Sequence, residues 1–178
     1  MAFVLCSLAL LAIPLVNAPS RAAAGPTEYQ LKAVFLFNFA QFVEWPAGAF
    51  RDAGEPLVIG VLGADPFGPY LDDVVRGEQV KGRPLAVKRY RKLEEVDGCQ
   101  ILFVSTEDSA RAATALAGHA VLTVSDASRP AQRGAIVQFV DARNRIRLRI
   151  DVDSANASGL TISSKLLRSA DVVRSGGG

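Results

Sequence analysis

His119, Cys99 and the run Ser163-Ser164-Lys165 are the residues of this 178-residue chain best equipped to act as base, nucleophile or dyad. Catalysis by such groups requires them to converge, a nucleophile beside a base and the base held by a third group. Their settings argue against that. His119 is the single histidine and precedes Ala120-Val121-Leu122 on a predicted buried strand, where an imidazole serves structure more readily than proton transfer. Ser163-Ser164-Lys165 lacks the Ser-x-x-Lys spacing that puts hydroxyl and amine on one helical face. Cys99 lies beside Ile101, Leu102 and Phe103 with no base nearby, so it reads as a small buried hydrophobe rather than a nucleophile.

Ligand-holding motifs are equally sparse. Gly60, Gly63 and Gly68 follow neither the dinucleotide fingerprint nor the P-loop, and they read as glycines of tight turns. Asp151-Val152-Asp153-Ser154-Ala155-Asn156 resembles half of a calcium loop, but the glycine and the distal glutamate are missing and position 162 is Ile. One histidine and one cysteine beyond the leader make no zinc site. The chain is therefore expected to be neither an enzyme nor a metalloprotein, and to need no cofactor.

Binding features are more visible. Arg145, Arg147 and Arg149 alternate with Ile146, Leu148 and Ile150, which sets guanidinium groups on one face of a strand and aliphatic groups on the other. The ladder is either solvated or faces an anionic ligand or acidic partner, with Arg147, Lys165 and Arg168 as the candidate anion contacts. Lys88, Arg89, Arg91 and Lys92 cluster around Tyr90 and read as a solvated group. A formal charge of +2 without a concentrated basic face excludes a dedicated nucleic-acid binder. Tyr29 to Pro46 gathers four of the nine phenylalanines and the single tryptophan. Phe35, Phe39 and Phe42 share one helical face, so this segment reads as a buried helix stopped by Pro46, with Phe39 and Trp45 as candidates for a partner or ligand surface.

The elements that must position these residues follow from the rest of the chain. Ala2 to Val16 is nearly unbroken in apolar character and small residues follow at Ala22-Ala23-Ala24, so residues 1–24 read as a cleaved export signal peptide. Cys6 would leave with it; Cys99 could then pair only between two chains. Residues 25–174 are expected to form one α/β domain and 175–178 a disordered tail. Strands are predicted over 57–62, 85–90, 100–104 and 119–124, with helices over 66–75 and 105–116 between them, and a turn over 79–83. That alternation argues for a mixed, mostly parallel sheet covered by helices on both faces. Strands over 135–140 and 145–152 close it with an antiparallel hairpin, and apolar spacing predicts a closing helix over 154–173.

Lys32-Ala33-Val34-Phe35-Leu36-Phe37-Asn38-Phe39 through Glu44-Trp45-Pro46 resembles the start of the YfiR family of exported regulators. In order behind it, Val61-Leu62-Gly63, Cys99-Gln100-Ile101-Leu102-Phe103, Leu122-Thr123-Val124-Ser125-Asp126, Gly134-Ala135-Ile136-Val137, Arg147-Leu148-Arg149-Ile150-Asp151 and Ser158-Gly159-Leu160-Thr161-Ile162-Ser163-Ser164-Lys165-Leu166-Leu167 resemble its strands and last helix. The resemblance spans about residues 28–173. It implies a periplasmic protein, homodimeric and not inserted in the membrane after signal cleavage, that represses a membrane-bound diguanylate cyclase through the cyclase's periplasmic sensor region. It implies lowered cyclic-di-GMP signalling and hence an influence on biofilm formation. Family members that sense redox state use disulfides; with Cys99 alone beyond the leader, intramolecular redox sensing does not carry over to this chain. The alternative reading is a periplasmic module that binds a small anionic ligand.

Overall fold

The computed structural model describes residues 27–126, 134–141 and 145–174, so the signal peptide expected over 1–24 and the tail expected over 175–178 lie outside the described residues. In chain order the elements are helix α1 (Glu28–Phe42), strands β1 (Val43–Glu44) and β2 (Leu57–Leu62), helix α2 (Pro69–Val75), strands β3 (Gln79–Val80), β4 (Arg83–Tyr90) and β5 (Ile101–Val104), helix α3 (Ser109–Ala115), strands β6 (Leu122–Asp126), β7 (Val137–Asp141) and β8 (Ile146–Asp151), helix α4 (Val152–Ala157), strand β9 (Thr161–Ile162), helix α5 (Ser164–Leu167) and strand β10 (Ala170–Val173).

Eight strands form one sheet in the order β10-β8-β7-β6-β5-β2-β4-β3. The central run from β4 through β7 is parallel, β7 and β8 form the antiparallel hairpin, and β10 returns parallel to β8. Every residue of β2 is buried, as a central parallel strand covered on both faces requires. On one face Ile59, Val61, Ile101, Phe103, Leu122 and Val124 pack with Leu36 and Phe39 of α1 and Leu71 of α2. On the other, Val58, Leu62, Leu102 and Val104 pack with Ala112 of α3, Tyr90 and Cys99. The mixed, mostly parallel sheet with helices on both faces expected from the sequence is the observed fold.

Several boundaries differ, each for a local reason. Thr27 caps α1 through a capping box with Gln30, and α1 ends before Pro46 because Val43 and Glu44 leave the helix to pair with Ile162 and Thr161. The helix predicted from Pro66 begins at Pro69, because the Asp65 carboxylate accepts from the Phe67 and Gly68 amides and holds a turn there. Residues 106–108 likewise form turns ahead of α3. The turn predicted over 79–83 contracts to Lys81-Gly82, both at positive φ, inside a β3–β4 hairpin. His119 is exposed in the turn before β6, not on a buried strand.

The largest correction is the closing helix. Gly159, at φ +71°, takes the chain out of α4; Leu160 and Ile162 are buried as the backbone pairs with β1; Ser163 caps a new short helix with its Oγ on the Leu166 amide; and 170–173 joins the sheet. A single helical spacing of apolar residues thus conceals two short helices and two strands.

Candidate functional site

The opening and closing segments, more than a hundred residues apart in sequence, are joined into one structural unit. Val43 and Glu44 pair antiparallel with Ile162 and Thr161, and the Ser163 amide donates to the Phe42 carbonyl at 2.9 Å. Gly159 lies so close to Pro46 that a Cβ there would meet Pro46 Cγ at 3.5 Å. The Lys165 ammonium sits 5.2 Å from the centre of the Phe42 ring, at the range where a cation gains from an aromatic face. The resulting surface presents Pro46, Ala47, Gly48 and Lys165 to solvent, with Phe42 and Trp45 half-buried beneath.

Trp45 is held from below. Its indole Nε1 donates to the Gln100 carbonyl at 3.1 Å. Gln100 itself is 2 % exposed, accepts from the Val58 amide at 2.8 Å and donates to the Ala49 carbonyl at 3.0 Å. One buried glutamine therefore ties the tryptophan loop to the entrances of β2 and β5. Sequence reasoning passed over Gln100; its signal is a polar residue at the mouth of an otherwise apolar strand, where an unpartnered amide would be costly.

Phe39 occupies a different environment from the one expected of a contact residue. It is fully buried, with its ring centroid 6.1 Å from that of Phe139 and 6.4 Å from that of Phe35. Its side chain offers no surface to a partner and fixes α1 to the sheet instead.

Beside it lies a cluster centred on a buried lysine. Lys32 shares the buried face of α1 with Phe35, Leu36 and Phe39 and is 4 % exposed. Its ammonium meets Asp126 Oδ1 at the carboxyl end of β6 at 2.6 Å, pairs with Glu28 one turn earlier, and lies 4.5 Å from the centre of the Tyr29 ring. The Tyr29 hydroxyl donates to the other Asp126 oxygen at 3.0 Å. Burial disfavours the ammonium, but hydrogen bonds to Asp126 and Glu28 outweigh it and hold the Lys32 pKa above the ordinary lysine value. Burial, and then the Asp126 hydrogen bond, push the Tyr29 pKa up.

Two open clefts flank Phe35. One, of 540 Å³, runs along α1 and β7 past Leu31, Lys32, Phe139 and Ile146. The other, of 420 Å³, lies at the β10 edge and brings together Arg145, Arg147 and Arg168 with Phe35 and Asp171. Arg147 stands 3.8 Å from Asp171, both largely exposed, and Arg168 donates to Ser164 Oγ at 3.4 Å. Of the three cationic candidates, the structure thus groups Arg147 with Arg168 and leaves Lys165 on the Phe42 surface. Arg89, expected to be merely solvated, instead bridges Asp65 at 2.7 Å and Asp72 at 2.6 Å and holds the loop ahead of α2.

Cys99 is 4 % exposed, its Sγ 3.0 Å from the Ile101 carbonyl oxygen, and burial pushes its pKa up to about 12. A bridge between two chains through this thiol would require the strand entrance to open, so the folded domain does not present it. Among the described residues no group of His, Cys, Asp and Glu is arranged to hold a metal ion, and no helix is long and apolar enough to cross a membrane.

A protein-family model described as YfiR/HmsC-like matches residues 29–171. No match is found among curated proteins.

Proposed function

This chain belongs to the YfiR/HmsC-like family, and on that premise we propose that it is an exported, non-enzymatic regulator that binds the periplasmic sensor region of a membrane-bound diguanylate cyclase and represses it. Family membership supports a regulatory role in diguanylate cyclase signalling. In the finer reading the protein acts in the periplasm as a homodimer and lowers cyclic-di-GMP, and so restrains biofilm formation.

The observation that carries this reading is the union of the two end segments. The residues that resemble the family's beginning and end meet through β1 and β9, and the surface so formed exposes Pro46 and Lys165 with Trp45 half-buried beneath. A half-buried tryptophan braced by a buried glutamine is a rigid aromatic anchor of the kind that dominates interface energies. Repression then follows from differential affinity: the regulator holds the cyclase in whichever state it binds more tightly.

The test is repression by Trp45→Ala and Lys165→Glu variants in the host, with the fold followed by circular dichroism. Folded variants that lose repression support the surface; folded variants that repress as well as the parent remove it.

A second reading rests on the β10-edge cleft, where three arginines line 420 Å³ beside Phe35. It is the binding of a small anionic ligand that tunes repression. Thermal stabilisation by one anionic metabolite, abolished by Arg147→Ala or Arg168→Ala, would support it.

A further inference from the structure

The strand order places a topological switch at the centre of the sheet. β2 lies between β4 and β5; the chain leaving β2 crosses to α2 on the α1 face, and the chain leaving β5 crosses to α3 on the opposite face. In open parallel sheets such a divergence opens a crevice outside the carboxyl ends of the strands, and ligands bind there. A cleft of 210 Å³ lies at this end, lined by Leu62 at the end of β2, Arg91, Lys92 and Leu93 just after β4, and Asp108 and Arg111 at the start of α3.

We propose that this cleft is a binding site for a compact dianion, a small phosphate monoester, recognised by Arg91, Lys92 and Arg111. Three cations face one carboxylate in the lining. Arg91 and Lys92 are exposed, and their side chains make no hydrogen bond or ion pair with any described residue. Arg111 reaches Glu94 at 3.3 Å, but both side chains are more than 60 % exposed, and a surface pair of that kind yields easily to a better anion. Asp108 is partly occupied by the Ser105 hydroxyl at 3.3 Å. Cations left unpaired at adjacent positions repel one another, and a doubly charged anion relieves that repulsion while two guanidinium groups offer it paired donors.

Size narrows the ligand. Sites for drug-sized molecules occupy roughly 300–1,000 Å³. At 210 Å³ this cleft accommodates a phosphate and a short organic stem against Leu62 and Leu93, not a nucleotide. It is separate from the arginine cleft at the β10 edge and shares no lining residue with it.

The experiment is a thermal-shift and calorimetric titration of the purified protein with phenyl phosphate, inorganic phosphate and sodium chloride at matched ionic strength. Saturable stabilisation by phenyl phosphate, with at least tenfold weaker binding in Arg91→Ala/Lys92→Ala and unchanged binding in Arg147→Ala, is expected. Lys92→Gln, a single exposed change that keeps the fold, is expected to weaken binding severalfold. A phenyl phosphate effect that chloride reproduces, or that survives the double variant, overturns the proposal. Stronger response to inorganic phosphate than to the monoester would overturn the ligand class. Because every readout is ligand binding to the isolated protein, its failure leaves the cyclase reading untouched.

Discussion

Replacing Lys32 with Met is expected to lower the stability of this domain by about 2–3 kcal/mol. Removing one partner of a buried ion pair costs roughly 3–5 kcal/mol, because the other charge is left uncompensated. Here the abandoned carboxylates are not equally buried: the Asp126 side chain is 25 % exposed and that of Glu28 57 %, so both rehydrate in part, and Tyr29 still donates to Asp126. These features bring the cost toward the lower figure. For a domain of this length, where 1 kcal/mol moves Tm by about 2–4 °C, the midpoint falls by about 4–12 °C. Urea denaturation at constant m-value reads the change directly. The double variant Lys32→Met/Asp126→Asn is expected to lose at least about 1 kcal/mol less than the sum of its parts, since each single change removes the same pair. The pH dependence has a definite sign. A lysine whose folded pKa is raised contributes its full stability below its unfolded value of about 10.4 and loses it only as pH rises through the raised value, so the Lys32 deficit should stay constant from pH 7 to 9. A Lys32→Met variant within about 0.5 kcal/mol of the parent, or strict additivity in the cycle, would refute the reasoning.

Gly60→Ala is expected to cost about 1–3 kcal/mol by overpacking, because a Cβ there would lie 2.7 Å from Cys99 Sγ, 2.8 Å from Tyr90 Cε2 and 2.9 Å from Leu102 Cδ1; urea unfolding measures it. Cys99, its pKa raised to about 12, should react with a thiol reagent at pH 8 far more slowly in the folded protein than in urea, and it should contribute to a fall in stability as pH rises from about 8.5 toward 12, where the unfolded chain can ionise and the folded one cannot. Rapid native labelling would show that the strand entrance opens. Gln100→Leu strands the Val58 amide and the Ala49 carbonyl, and a loss of about 2–4 kcal/mol is expected, with altered fluorescence from Trp45, the single tryptophan.

The sequence made β2 legible to the residue, because an all-apolar run of six residues bracketed by Pro56 and Gly63 is too short for a buried helix and fits a doubly covered strand. The β7–β8 hairpin was legible from the arginine-aliphatic alternation, with Leu148 and Ile150 buried as expected. The closing segment was not, because apolar residues at helical spacing were equally satisfied by short elements that bury Leu160, Ile162 and Leu166. Gly159 and Ser163 carried the correction, as a helix stop and a new cap. Lys32 was hidden for another reason: its burial depends on Asp126, which sits 94 residues later at the end of a strand, and no local pattern encodes that meeting. The apolar aromatic segment was read correctly as a buried helix, yet the same reading could not separate Phe39, sealed in the core, from Trp45, held at the surface by Gln100.

The measurement that tests the account most directly is the cellular cyclic-di-GMP level of the native host with and without this gene. A repressor of a diguanylate cyclase predicts a rise on deletion, reversed by the parent gene and not by a folded Trp45→Ala variant. An unchanged level on deletion, under conditions where the protein is expressed and exported, would contradict the account.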